Sequence, residues 1–166
     1  MSVHFSSKKE DWETPQELFD LLNGEFNFTA DVCATAENAK CNVYITPEMN
    51  GLEYGWENDV CWMNPPYGRE IRQWMAKAYE AAKLGGTVVC LVPARTDTNW
   101  WWDYCTRATE IRFLKGRIRF SGHKNSAPFP SAIVVFSGGE VMTLKTLYAS
   151  IYVWWWDWKS DLENAL

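Results

Sequence analysis

Val60-Cys61-Trp62-Met63-Asn64-Pro65-Pro66-Tyr67-Gly68 is the stretch on which the fold turns. Four apolar residues run directly into two prolines and a glycine. Proline has no backbone N–H to give to a ladder, so the regular element must stop at Asn64. From Glu70 to Leu84 the period changes: Ile71, Trp74, Met75, Ala78 and Ala82 share one helical stripe. Gly85-Gly86 breaks that helix. Thr87 to Val92 is then a continuous apolar run, as a strand covered on both faces requires. Residues 60–92 therefore predict strand, helix and strand, joined by a right-handed crossover. Ligands of open α/β sheets bind beyond the carboxyl ends of the strands. Asn64 to Gly68 stands at such an end.

Toward the N-terminus, Thr14-Pro15-Gln16-Glu17 predicts a helix start. Thr14 is the expected N-cap, Pro15 the first helical residue and Glu17 the capping-box partner. Leu18, Leu21 and Leu22 follow at helical spacing, and Asn23-Gly24 is the expected stop. Phe26 to Cys33 reads as a strand, Ala34 to Ala39 as a short helix or turn, Val43 to Thr46 as a short strand, and Pro47 to Gly55 as a loop. Toward the C-terminus, Thr98 to Cys105 reads as a Trp-rich helix capped by Asp97. Glu110–Lys115, Arg117–Phe120 and Ala132–Ser137 read as three more strands. Residues 140–166 form a Trp-rich extension with the weakest pattern and no assigned role. No internal repeat or low-complexity linker divides the 166 residues, so one domain, residues 1–166, is expected.

With 47% hydrophobic and 22% charged residues, the chain has the balance of a soluble protein with its own core. Met1 to Glu13 is polar, without the apolar run of a signal peptide. Thr146 to Trp156 is too short for a bilayer, which needs about 20 residues. A cytoplasmic protein with no membrane partner is expected. Cys33, Cys41, Cys61, Cys90 and Cys105 include no C-x-x-C pair, and the only histidines are His4 and His123. No metal site is expected, and the thiols should be reduced and mostly buried.

The net charge of −5 is unevenly spread. Ile111 to Gly139 holds no Asp or Glu, yet it carries Arg112, Lys115, Arg117, Arg119 and Lys124. A basic strip on an acidic body suits a phosphate backbone. A solvated strand face with alternating charges is the plain alternative. Arg69, beside the motif, joins Lys115, Arg117, Arg119 and Lys124 as candidate DNA contacts. Arg117 and Arg119 would share one strand face. Eleven tryptophans are unusual for this length, and they cluster at Trp100-Trp101-Trp102 and Trp154-Trp155-Trp156-Asp157-Trp158. Three consecutive rings cannot all point inward on a regular element, so each cluster should expose at least one. Such rings are candidate contacts for a homodimer or a wedge between bases.

Asn64-Pro65-Pro66-Tyr67 has the groups that methylation of an aromatic amine demands. The N6 lone pair of adenine is delocalised into the ring and is a poor nucleophile. Two acceptors aimed at its hydrogens would draw the nitrogen toward tetrahedral geometry. The Asn64 side-chain oxygen is one, and the Pro65 carbonyl, outside any ladder, is the other. Tyr67, helped by Trp62, can stack on the base, worth about 1–3 kcal/mol. That offsets much of the few kcal/mol needed to flip a base out of a duplex. The methyl donor must be an activated sulfonium, and the site then works by positioning and electrostatics.

Asn64-Pro65-Pro66-Tyr67-Gly68 resembles the catalytic motif of amino-methyltransferases. The wider pattern resembles the phage-type Dam family of DNA N6-adenine methyltransferases. It is carried by Trp12-Glu13-Thr14-Pro15, Phe28 to Ala34, Ala36 to Cys41, Asn64 to Gly68, Gly116 to Phe120 and Pro128 to Ser131. The resemblance implies an α/β, Rossmann-like class I methyltransferase fold, with a seven-stranded, mostly parallel sheet flanked by helices. It implies S-adenosyl-L-methionine as cofactor and double-stranded DNA as partner. It would make Asn64, Pro65, Pro66 and Tyr67 catalytic. Trp12, Thr14 and Pro15 would lie near the amino-acid end of the cofactor. Asp31 and Ala34 would form the floor, with Asp31 facing the ammonium group, and Asn38 would touch the ribose or adenosine. Asp31 as a structural cap and Thr14-Pro15 as a helix cap are the plain readings. From the residues alone, RNA adenine, cytosine N4 or a protein amide would suit a similar pocket. A non-catalytic DNA-binding or anti-restriction module is the remaining alternative. The resemblance ranks DNA adenine first.

Overall fold

The apolar runs and stripes become seven strands and four α-helices in a computed structural model, which describes residues 12–138 and 151–165. In chain order they are α1 (Gln16–Phe26), β1 (Ala30–Asp31), β2 (Val43–Tyr44), β3 (Val60–Met63), α2 (Ile71–Lys83), β4 (Thr87–Pro93), α3 (Asn99–Asp103), β5 (Glu110–Leu114), β6 (Ser131–Ser137), β7 (Tyr152–Trp156) and α4 (Trp158–Asn164).

β3 and β4 are parallel neighbours, with Cys61 opposite Val88 and Met63 opposite Cys90. The full sheet runs β2-β1-β3-β4-β6-β5-β7. Among the described strands only β6 runs against its neighbours, β4 and β5. The fold is thus the mostly parallel, helix-flanked α/β sheet that the sequence implies. Burial explains the unbroken apolar run of β4. Val88, Cys90 and Val92 face Met75, Ala78 and Ala82 of α2. Val89 and Leu91 face Leu18, Phe19 and Leu22 of α1. Each such fully buried aliphatic side chain stabilises the fold by roughly 1.5–3 kcal/mol.

Several boundaries differ from expectation. α1 starts at Gln16, with Pro15 in the cap position (φ −57°, ψ 135°) and no side chain capping it. The Thr14 and Glu17 capping box therefore does not form. The helix also runs through Gly24 to Phe26 and stops at Asn27, in the left-handed region at φ 55°. A glycine costs a helix only about 1 kcal/mol, and Phe26 and Phe28 rings stack at 5.9 Å just beyond it. The expected strand Phe26–Cys33 accordingly shrinks to Ala30–Asp31. Ala34–Ala39 is a turn, closed by the Ala39 N–H on the Thr35 carbonyl at 3.0 Å. Asp97 does not cap α3, whose N-cap is Thr98.

Arg117–Phe120 forms no strand and pairs with none among the described residues. Gly116, at φ 76°, turns the chain away as β5 ends. The alternation survives, with Ile118 and Phe120 buried and Arg117 and Arg119 exposed. Both tryptophan clusters expose a ring as expected: Trp102 is 66% exposed and Trp155 76%, while Trp100, Trp101, Trp156 and Trp158 are buried. Cys61, Cys90 and Cys105 are buried, Cys33 and Cys41 half-buried, and all five are free thiols. Burial pushes the Cys41 thiol up to about 11 and the Cys61 thiol to about 12, which keeps both inert. Met1–Asp11, which includes His4, and residues 139–150 of the C-terminal extension lie outside the described residues.

Candidate active site

β1 connects outward to β2, whereas β3 connects the other way to β4. The strand order therefore reverses between β1 and β3, and a crevice opens beyond their carboxyl ends. A pocket of about 830 Å³ occupies it. All four motif residues, Asn64, Pro65, Pro66 and Tyr67, line this pocket. So do Trp12, Thr14, Asp31, Ala34 and Asn38. Pro15 does not, although its carbonyl accepts the Phe19 N–H at 3.2 Å in the first turn of α1.

β3 ends at Met63, which leaves Asn64 at the mouth of the crevice. Its amide nitrogen donates to the Trp12 carbonyl at 2.5 Å and to the Thr14 hydroxyl at 3.1 Å. Its oxygen accepts from the Tyr67 hydroxyl at 2.7 Å. An amide oxygen has two acceptor positions, so one stays open. Thr14 is buried at 2% exposure, and its hydroxyl serves Asn64 rather than the helix end. The Pro65 carbonyl accepts no hydrogen bond from the described residues. Asn64 thus keeps one open acceptor position beside the unbonded Pro65 carbonyl.

Tyr67 is half-buried, and its hydroxyl also reaches the Leu91 carbonyl at 3.1 Å. Burial pushes its phenol well above the usual value, so the hydroxyl keeps its hydrogen at working pH. Its ring meets Phe120 and Phe129 edge-on, at 6.2 and 5.7 Å. Trp62 is part of the α1-side core, 5.7 Å from Phe19, which limits its part in base stacking.

Asp31, 3% exposed, spends both oxygens on its own loop. One accepts the Cys33 N–H at 3.2 Å and the other the Lys40 N–H at 3.0 Å. Burial pushes its carboxyl up, against the pull of those backbone bonds and the Lys40 charge. Asn38 likewise accepts the Thr35 N–H at 2.7 Å. These two side chains shape the pocket floor from within the turn.

The N-terminal residues of the site are held by the connection between β5 and β6. The Trp12 ring stacks on His123 at 4.5 Å and 16° and meets Phe129 edge-on at 5.1 Å. Ser121 pairs with Glu13 through its N–H at 2.9 Å. β5 and β6 are antiparallel, and Ser131 lies opposite Pro93. The 115–130 connection therefore sits at the same sheet end as the pocket.

Among the lining residues to which the sequence gives no site role are Gly51, Trp74 and Arg95, and Phe129 of the Pro128–Ser131 stretch joins them. A Cβ on Gly51 would come within 2.6 Å of the Val32 carbonyl and 2.9 Å of the Trp74 ring, so this wall needs a bare backbone. Trp74 looks like one more member of a core stripe. Arg95 stands two residues past a parallel strand, and that position is the signal that could have found it. Of the basic candidates, Arg69, Arg117, Arg119 and Lys124 are exposed and have no acid partner among the described residues. Lys115 is paired with Asp157 at 2.6 Å. Arg112 is buried in a salt bridge to Glu25 and Glu110. The strip is thus less free than its formal charge suggests.

No helix among the described residues is long and apolar enough to cross a membrane. The chain is 32% identical over 165 residues to the DNA N-6-adenine-methyltransferase of Haemophilus phage HP1, covering 92% of this chain and 95% of that one. It is 31% identical over 106 residues to the DNA N-6-adenine-methyltransferase of Escherichia phage T1, covering 63% of this chain and 44% of that one. The family model for DNA N-6-adenine-methyltransferase (Dam) matches residues 2–161, so nearly the whole chain, motif and pocket included, belongs to the Dam family.

Proposed function

We propose that the pocket transfers a methyl group from S-adenosyl-L-methionine to N6 of an adenine flipped out of double-stranded DNA. The observation that carries this reading is the open acceptor position on the Asn64 side-chain oxygen and the Pro65 carbonyl that no described donor reaches, beside the half-buried Tyr67. Both oxygens would accept from the amine and favour the positive charge that develops on N6 as the methyl arrives. Tyr67, Phe129 and the exposed Pro66 offer apolar surface to the extruded base.

The residues present fit the cofactor. About 830 Å³ lies within the range of roughly 300–1,000 Å³ typical of ligand pockets. Gly51 keeps one wall flat against Trp74. Asp31, Ala34 and Asn38 would build the floor under the donor, with Asp31 acting first by ordering residues 33–40. When bound, S-adenosyl-L-methionine supplies an activated methyl group. Arg69, Arg117, Arg119 and Lys124 would neutralise phosphates of the duplex. The protein would act in the cytoplasm, where the DNA is. Self-association through the two tryptophan clusters, with Trp102 and Trp155 exposed, belongs to the same reading and is read by sedimentation.

The test is labelled S-adenosyl-L-methionine with unmethylated duplex DNA, followed by digestion to nucleosides. Label in N6-methyladenine is expected. Label only in cytosine, only in RNA, or nowhere would overturn the assignment.

A further inference from the structure

An asparagine amide has two ends of nearly equal shape. Only the oxygen end can accept from an amine; the NH₂ end would meet N6 donor against donor. Something must decide which end faces the pocket. Three groups hold the Asn64 amide: the Tyr67 hydroxyl, the Thr14 hydroxyl and the Trp12 carbonyl. A hydroxyl both donates and accepts, so neither hydroxyl dictates the orientation alone. Tyr67 even has a second place for its hydrogen, the Leu91 carbonyl at 3.1 Å. The Trp12 carbonyl can only accept. Reversing the amide would bring two oxygens face to face at the present 2.5 Å.

We infer that the Trp12 carbonyl, seconded by Thr14, is the positioning clamp that keeps the Asn64 oxygen toward the substrate amine. The inference rests on the methyl-transfer reading above. The ring of Trp12 anchors the carbonyl, through His123, Phe120 and Phe129. The strap that follows is fixed by Ser121, whose N–H bonds the Glu13 carbonyl and whose hydroxyl reaches the Thr14 carbonyl at 3.3 Å. All these anchors lie on the connection that also presents Arg117, Arg119 and Lys124. The segment offered to DNA and the segment that orients the catalytic amide are therefore one mechanical unit. Trp12 and Thr14 are positioning residues here, acting through Asn64.

The experiment compares wild type, Trp12→Ala, Thr14→Val and Thr14→Ser by single-turnover methyl transfer, with calorimetric affinities for S-adenosyl-L-methionine and for duplex DNA. Trp12→Ala should slow transfer about ten- to hundredfold, the effect of one mis-set buried hydrogen bond. Thr14→Val should slow it several-fold to about tenfold, and Thr14→Ser should restore it. In the Thr14 variants both affinities should stay within about threefold, below half a decade in equilibrium constant. Weakened cofactor binding with an unchanged transfer rate would make these residues cofactor contacts and overturn the clamp, as would an unchanged rate in every variant. If Trp12→Ala does not fold, the Thr14→Val and Thr14→Ser pair decides. A wild type that methylates no adenine overturns the methyl-transfer reading itself, whereas an active wild type with indifferent variants sinks only the clamp.

Discussion

At the β1–β3 crevice, Asn64 keeps an open acceptor position and Pro65 a carbonyl that no described donor reaches. At the β5–β7 edge the opposite rule holds. The Arg112 side chain, 4% exposed, gives both terminal nitrogens to Glu25 and its Nε to Glu110 at 3.0 Å. Its guanidinium lies 5.1–5.3 Å from the ring centres of Phe26, Trp154 and Trp156. The Trp154 indole donates to Glu110, and the Trp156 indole to Asp161 at 2.7 Å. Both regions are rich in rings. What separates them is the fate of their polar atoms. Where every donor and acceptor is answered, rings and charges hold two segments together. Buried polar groups are rarely left unanswered, so acceptors left open at the mouth of a pocket stand out from a region where they are answered.

Asn64→Ala should break that contrast with the largest effect. Loss of one acceptor at a charge-developing centre costs about 10²- to 10³-fold in rate. Single-turnover transfer should fall by that factor, while calorimetry still finds the cofactor and the protein stays folded at the assay temperature. Arg112→Ala should do the reverse. Breaking a buried ion pair costs about 3–5 kcal/mol, and the low end applies because Glu25 is half exposed. Urea unfolding should report a loss near 3 kcal/mol, with the rate per folded molecule retained. If Arg112→Ala abolished transfer in a folded protein, the β7 edge would belong to the site and the contrast would fail.

Gly51→Ala sharpens the comparison from the pocket's other wall. The new methyl meets a main-chain carbonyl, and the Val32 segment must shift to admit it. Overpacking of this kind costs typically 1–3 kcal/mol. Cofactor affinity should fall about tenfold or more, with the affinity for DNA unchanged. Equal cofactor affinity in the variant would place the cofactor elsewhere.

These two regions were unequally legible in the sequence. Residues 60–92 read correctly because three signals coincide: a change of period, glycine and proline stops, and an apolar run too continuous for a half-exposed strand. Asn64 and Pro65 follow from that frame, since a strand ending in two prolines must leave a carbonyl unpaired. Thr14 carries two readings because a capping pattern and a pocket residue look alike in one dimension; the cap does not form, Thr14 lines the pocket, and only the fold brings residue 64 to it. Asp31 and Asn38 line the pocket, but their bonds to their own turn depend on loop geometry that spacing does not encode. Arg112 is counted with the basic strip because Glu25, 87 residues away, is invisible as its partner. The strand expected at Arg117–Phe120 shows the same limit. Alternation is real there, yet it reports which side chains are buried and not whether the backbone has a neighbour.

The smallest effect tests that last distinction among the cations themselves. Arg117, Arg119 and Lys124 are exposed without an acid partner among the described residues, whereas Lys115 already spends its charge on Asp157 at 2.6 Å. A cation that replaces a counterion on a phosphate changes the salt dependence of DNA binding by about one unit of slope. Arg117→Gln, Arg119→Gln and Lys124→Gln should each lower that slope by about one and weaken binding alike on every sequence. Lys115→Gln should change it by much less, because the pair is nearly neutral to an approaching duplex. It should also lose little stability, since a solvent-exposed ion pair contributes little. Affinity measured across a salt series separates the cases. Equal slopes for all four variants would mean that Asp157 releases Lys115 when DNA binds, and that the β7 edge, so thoroughly satisfied in the free protein, opens toward the substrate after all.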